Sequence, residues 1–288
     1  MMTTVQQNIY LYKDRFWASL WICGLLLVWL WDKLFLNTPA LKQIESAFIH
    51  TIIISLLVII FALVLAWLTT LALHYTERKP FIPIYISINF LLNIVRSVPQ
   101  IIGVLLGYII ITGYIEQGHI GSPATIILLM SLTISLFVFY EIVDMLRERI
   151  AYYRTLDYYD AMLVCGIKES RIINHEIILK NSLAHLLNKL IYLFGITIFL
   201  QCSVDFIISI GLTQEASTVN FPYTLGSLLA KIDSKQDILA IGYTLTNPEY
   251  IRNLFFQHLQ GITIAIIIIF SLFCIYQIAN NYAERKQL

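Results

Sequence analysis

The stretch AFIHTIIISLLVIIFALVLAWLTTLAL, residues 47–73, contains no Asp, Glu, Lys or Arg. About 20 mainly apolar residues at 1.5 Å rise each are enough to cross a hydrocarbon core of about 30 Å. This stretch is longer than that and predicts a membrane-spanning helix. The rest of the chain agrees with it. Of the 288 residues, 58% are apolar and only 13% charged, and mean hydropathy is +0.76. Soluble domains carry about 25% charged residues, so too little polar surface exists here to coat a water-soluble globule. The expectation is an all-α integral membrane protein.

Five further apolar regions surround residues 47–73. They are 16–35, 81–113, 122–140, 185–211 and 259–282, giving about six spans. The first carries Trp17 and Trp21 near one end and Trp29 and Trp31 near the other, as suits two interfaces. No small-residue cleavage site follows it, so it reads as an uncleaved span rather than a signal peptide. Region 81–113 is too long for one untilted span and contains Arg96 and Pro99, which predicts a bend or an interfacial segment. The chain divides into 1–46 (N-terminal tail, first span and a short outer link, 36–46) and a core of 47–288.

Thirteen of the nineteen Lys and Arg fall on the side of the N-terminus and five on the other, with Arg96 unassigned. By the positive-inside rule both termini are cytoplasmic. That places residues 147–180 in a cytoplasmic loop and 212–257 in an outer segment. Asn247-Pro248-Glu249 reads as a helix start within the latter.

Several classes are excluded. Net charge is +1, so no electrostatic footprint for nucleic acid exists. Cys23, Cys165, Cys202 and Cys274 are widely spaced and read as buried small hydrophobes. The histidines show no metal-ligand spacing, so no metal site is expected. No Gly-x-x-x-x-Gly-Lys-Ser/Thr is present, so ATP phosphates are not cradled by this chain, and no catalytic residues converge.

The loop 147–180 carries the functional signal. Asp157 is placed to cap a short helix running through Tyr158, Asp160, Ala161 and Met162, with Asp160 at its third position. Gly166 stands where that helix would stop in a left-handed turn. Lys168 and Glu169 lead into a second helix directed at the fifth span. Elsewhere, Arg96 and Pro99 are candidates for a gate, with Glu141 or Asp144 as the partner of the arginine. An arginine at the headgroups, with the span beginning near Pro99, is the equal alternative. Gln201, Ser203 and Asp205 form a polar cluster in the fifth span, and 201 and 205 share a face. They are candidates for a translocation path, since intramembrane acids tend to be functional. The simpler reading is an Asp205 hydrated near the outer surface.

Asp160-Ala161-Met162, three further residues and Gly166 resemble the Glu-Ala-Ala…Gly coupling loop of ABC importer permeases. Ile177-Ile178-Leu179 falls where that family has an apolar end, without its proline. Asp157-Tyr158-Tyr159-Asp160-Ala161, Arg171-Ile172-Ile173 and His175 are similar to the second permease of dipeptide, oligopeptide and nickel importers. Arg96-Ser97-Val98-Pro99 looks more like the methionine and phosphonate permeases. The resemblance runs from about residue 47 to the C-terminus.

It implies a type I importer permease fold in a bacterial cytoplasmic membrane, with the loop fitting a groove on a separate ABC ATPase subunit. It also implies ATP and Mg on that partner, an external solute-binding protein, and pairing with a second related permease, most simply as a heterodimer. This chain would then not be an enzyme. The solute it implies is a peptide, or else a metal chelate. A secondary transporter driven by an ion gradient is the alternative class, expected to show broken helices and midplane carboxylates.

Overall fold

The computed structural model describes residues 13–77, 81–119, 121–212, 221–230, 239–240, 242–253 and 259–287. They form α1 (Lys13–Phe35), α2 (Thr38–Thr76), α3 (Ile82–Ser97), α4 (Gln100–Glu116) and α5 (Pro123–Arg154). Then come α6 (Asp157–Val164), a turn at Glu169–Arg171 running into a π-helix (Ile172–Asn181), α7 (Leu183–Leu212), α8 (Leu225–Leu229) and α9 (Leu259–Gln287). No strand occurs among the described residues. Five helices are long and apolar enough to cross a membrane, and α3 with α4 make a sixth candidate bent by 96°. The chain is an all-α, multi-pass membrane protein.

The bend falls at Val98 and Pro99. Val98 is extended (ψ 124°), as the residue before a proline is driven to be, and Pro99 begins α4. α3 is set nearly perpendicular to α4 by the bend. It buries only Leu92 and exposes Ile84, Ile86, Phe90, Leu91 and Ile94.

α2 starts earlier than hydropathy predicts. The Asn37 side chain accepts a hydrogen bond from the Ala40 amide at 3.0 Å, and Pro39 occupies the first turn. Only Leu36 and Asn37 separate α1 from α2, so most of the predicted outer link 36–46 is helix. α2 buries one stripe (Ala47, Ile54, Val58, Ala62, Ala66) against α5 and α7. Its opposite stripe (Ile49, Ile53, Leu56, Ile60, Val64, Leu68) faces outward. The small residues on the inner stripe let helix backbones approach closely, the main source of helix association where lipid is as apolar as leucine. α4 uses glycine for the same purpose. A Cβ at Gly103 would lie 2.3 Å from the Phe137 ring, and one at Gly107 would lie 2.1 Å from Thr133 Cγ2 on α5.

α1 is attached differently. Its main neighbour is α9, and the antiparallel pair is pinned at three levels. Arg285 reaches Asp14 at 3.0 Å, the Trp21 indole donates to Ser271 Oγ at 3.0 Å, and Thr263 Oγ1 donates to Asp32 at 2.7 Å. The first pin sets the start of α1 and the end of α9 on one side of the bundle.

The outer segment is partly interior. Residues 221–230 fold back into the bundle, where Leu225, Gly226, Leu228 and Ala230 are buried. Thr224 and Ser227 form a reciprocal capping box for α8, and the Leu225 amide donates to Thr51 Oγ1 at 3.1 Å. A Cβ at Gly226 would meet the Cys202 carbonyl oxygen at 2.3 Å, so only glycine fits against that backbone. At Asn247 the chain does enter a helical turn, Pro248–Tyr250, but the Asn247 side chain does not cap it. Residues 213–220, 231–238, 241 and 254–258 of this segment lie outside the described residues, as do Arg78 and Lys79. The cysteines split. Cys202 and Cys274 are buried as expected, whereas Cys23 is exposed on the lightly covered α1 and Cys165 at the loop tip.

Candidate functional site

The loop between α5 and α7 is built on one glycine. Gly166 has φ +78°, the left-handed conformation that other residues resist. The Ile167 amide donates to Met162 O at 3.1 Å and the Gly166 amide to Leu163 O at 3.0 Å. These are the two bonds of a Schellman motif, so α6 ends where the sequence places its stop. The start differs. Leu156 holds the cap position and Asp157 is the first helical residue, so the aspartate does not cap the helix. Asp157 and Asp160 instead put negative charge in the first turn, where the helix dipole favours it.

Two faces of α6 have opposite roles. Tyr159 and Met162 are buried. The Tyr159 hydroxyl donates to Glu169 Oε1 at 3.0 Å, and His74 Nε2, in the last turn of α2, lies 3.0 Å from the same oxygen. Three elements are thereby tied at one carboxylate. On the other face Asp157, Tyr158, Asp160, Ala161, Leu163 and Val164 are exposed, and Val164 is 88% exposed. Lys168 is exposed beyond the glycine. Behind the loop the π-helix buries Ile172, Ile173, Ile177 and Ile178 and closes with the Ser182 amide on Ile177 O at 2.8 Å. Lys180 and His175 flank Glu176 at 3.1 and 3.0 Å, and their hydrogen bonds, Lys180 first, hold its carboxyl below its ordinary range.

A second polar group gathers where α3 turns into α4. The Arg96 guanidinium pairs with Asp144 of α5 and also donates to Asn93 Oδ1 at 3.1 Å. Gln100, the first residue of α4, donates to Glu141 at 3.0 Å and to the Tyr140 hydroxyl at 3.1 Å. Lys189 of α7 completes the group with a 2.8 Å bond to Glu141. Arg96 is thus paired with an acid and also stands at the bend, beside Pro99. Both features anticipated for it occur together.

The third group lies towards the opposite end of α7. Asp205 is 5% exposed and Gln201, one turn earlier, is fully buried. Thr224 Oγ1 donates to Asp205 Oδ2 at 2.6 Å, which anchors the returning segment 221–230 to α7. Tyr108 of α4 is 1% exposed and within electrostatic reach of Asp205. Ser203 is half-buried and off the 201–205 face.

Sequence reasoning did not single out Tyr108, His74 or Thr224. Their partners lie far away in the chain, and no local spacing announces them. Gly103 and Gly107 did carry a legible signal, the Gly-x-x-x-Gly spacing of close helix contact.

Comparison with protein-family models, curated proteins and solved structures returns no match.

Proposed function

We propose that this chain is the transmembrane subunit of an ATP-driven ABC importer. It forms the path for a small solute, a peptide or else a metal chelate, and couples through Asp157–Glu169 to a separate ATPase subunit. One observation carries the reading. α6 is a short helix, fixed at its end by Gly166 and at its back by Tyr159, that presents Tyr158, Leu163 and Val164 outward beside Asp157 and Asp160. Exposed apolar residues on a rigid element outside the apolar part of the bundle suit a protein partner. The same reading supplies the remaining parts: ATP and Mg on the ATPase, a second permease subunit, an external solute-binding protein, and a bacterial cytoplasmic membrane with both termini inside. Arg96 and Pro99 would then belong to a gate, and Gln201, Ser203 and Asp205 to the walls of the path.

The test is a pull-down from mild detergent, wild type beside a Gly166→Pro, Asp160→Arg double variant. Proline is incompatible with the positive φ at 166. An ATPase subunit captured by the wild type and lost from the variant supports the proposal. Well-expressed wild type that captures no ATPase removes it.

A second reading is favoured by a different observation. The broken pair α3–α4 and the buried acid Asp205, which has a hydrogen bond from Thr224 but no ion pair among the described residues, are features of ion-driven transporters. Solute uptake that collapses with a protonophore while ATP is maintained would select it.

A further inference from the structure

At the loop end of the bundle, α2, α3 and α5 enclose a cavity of about 130 Å³. Its polar lining is Thr70, His74, Glu77, Tyr85, Arg147 and Arg154. The charges do not cancel. Arg154 donates to Glu77 at 3.3 Å, so those two balance each other. His74 is turned to Glu169. Arg147 has only neutral partners among the described residues. It donates to Asn89 Oδ1 at 3.2 Å and to the Tyr85 hydroxyl at 3.5 Å. Arg147 is thus the charge in the lining that has no oppositely charged partner among the described residues.

Thr70 supplies an independent observation. It is 1% exposed, lines the cavity, and its hydroxyl has no hydrogen-bond partner among the described residues. A buried hydroxyl left unmade costs about 1–3 kcal/mol, which an occupant of the cavity would recover. Tyr85 adds another donor, because its oxygen accepts from Arg147 and its own proton remains free. An uncompensated guanidinium with two hydroxyl donors calls for an anion with several acceptor oxygens. The volume is below the roughly 300 Å³ of pockets for drug-sized ligands, so only a compact group fits.

We propose that this cavity binds a phosphate group, held by Arg147, Thr70 and Tyr85. Two sources share that chemistry, the headgroup of an anionic phospholipid and a soluble phosphate. The position suits a headgroup, because basic pockets between spans are where anionic headgroups settle. Glu77 stands against the anion, and its bond to Arg154 limits that opposition. The site does not depend on the importer reading, since its test involves no ATPase.

The full-length chain is purified from membranes containing phosphatidylglycerol and phosphatidylcholine, and retained lipid is counted by native mass spectrometry. In parallel, inorganic phosphate is titrated by calorimetry. The variants are Arg147→Gln, Thr70→Val and, as a control of equal charge change at the far end, Arg252→Gln. Circular dichroism verifies that each is folded.

Preferential retention of phosphatidylglycerol is expected. It should fall roughly tenfold in Arg147→Gln and a few-fold in Thr70→Val, as losing a charge-assisted and a neutral hydrogen bond implies, and stay unchanged in Arg252→Gln. Phosphate binding that depends on Arg147, without lipid retention, assigns the site to a soluble phosphate. If neither probe binds the wild type, or if Arg147→Gln binds both as the wild type does, the proposal is overturned.

Discussion

Two helix pairs in this protein are held by different forces. In α5 half of the apolar window is buried (50%), and in α1 only 6% is. The α2–α5 pair closes on small residues and interlocking aliphatics, with almost no hydrogen bonding across it. α1, by contrast, leaves most of its apolar surface uncovered and is fastened to α9 by Asp14–Arg285, Trp21–Ser271 and Asp32–Thr263. In water both pairs would be driven together by apolar burial. In a bilayer an apolar face gains little by exchanging lipid for protein. A central helix can rely on dense packing from several sides. A peripheral one, with one main neighbour, is secured by polar pairs.

The contrast can be broken experimentally, starting with the largest effect. Ile134→Ala, at a fully buried site of α5, should cost about 2–5 kcal/mol in denaturant unfolding in micelles. Gly107→Val should cost about 1–3 kcal/mol, because a side chain there meets Thr133. On the peripheral pair Thr263→Val should cost only about 0.6–1.7 kcal/mol, the range of interhelical hydrogen bonds in membranes. It should act by loosening α1, read as faster proteolysis near residue 35, and leave the α2–α5 core intact. Trp21→Phe should do the same more weakly. Equal losses in both regions would abolish the distinction.

The smallest effect is a pH dependence outside the spans. Hydrogen bonds from Lys180 and His175 depress Glu176 below its ordinary 4.5, while Glu176 raises Lys180 above its ordinary 10.5. A depressed acid stabilises above its unfolded value and loses that as pH falls through the folded one. A raised base loses its contribution as pH rises through its folded value. Amide protection in Ile172–Asn181, taken relative to the intrinsic exchange rate at each pH, should therefore be greatest between these limits and fall beyond either. In Glu176→Gln the acid limb should vanish and the alkaline limb should weaken with it, because Glu176 is what raises Lys180.

The spans were legible because a long apolar window overrides every weaker local signal. The break at Pro99 and the stop at Gly166 were legible too, since each is a backbone property of one residue type. Helix starts were less so. Asn37 and Pro39 begin α2 early, yet hydropathy does not see a cap, and Leu156 took the position expected of Asp157. What could not be read was pairing across the chain. Asp14 with Arg285 and Asp32 with Thr263 are separated by 271 and 231 residues, and only packing decides them. The return of residues 221–230 into the bundle was hidden for the same reason. It stands between polar stretches and reads as part of an outer loop until Thr51 and Asp205 supply partners.

α2 has a consequence of its own. At 39 residues it is a continuous rod of about 58 Å, nearly twice the hydrocarbon thickness. Within its first half Thr51 receives the amide of the infolded outer segment, and in its last turn His74 meets the carboxylate behind the loop. No proline or glycine interrupts the helix between those two contacts. One unbroken helix thus joins the infolded segment 221–230 to the loop, so neither contact can shift along the helix axis without the other.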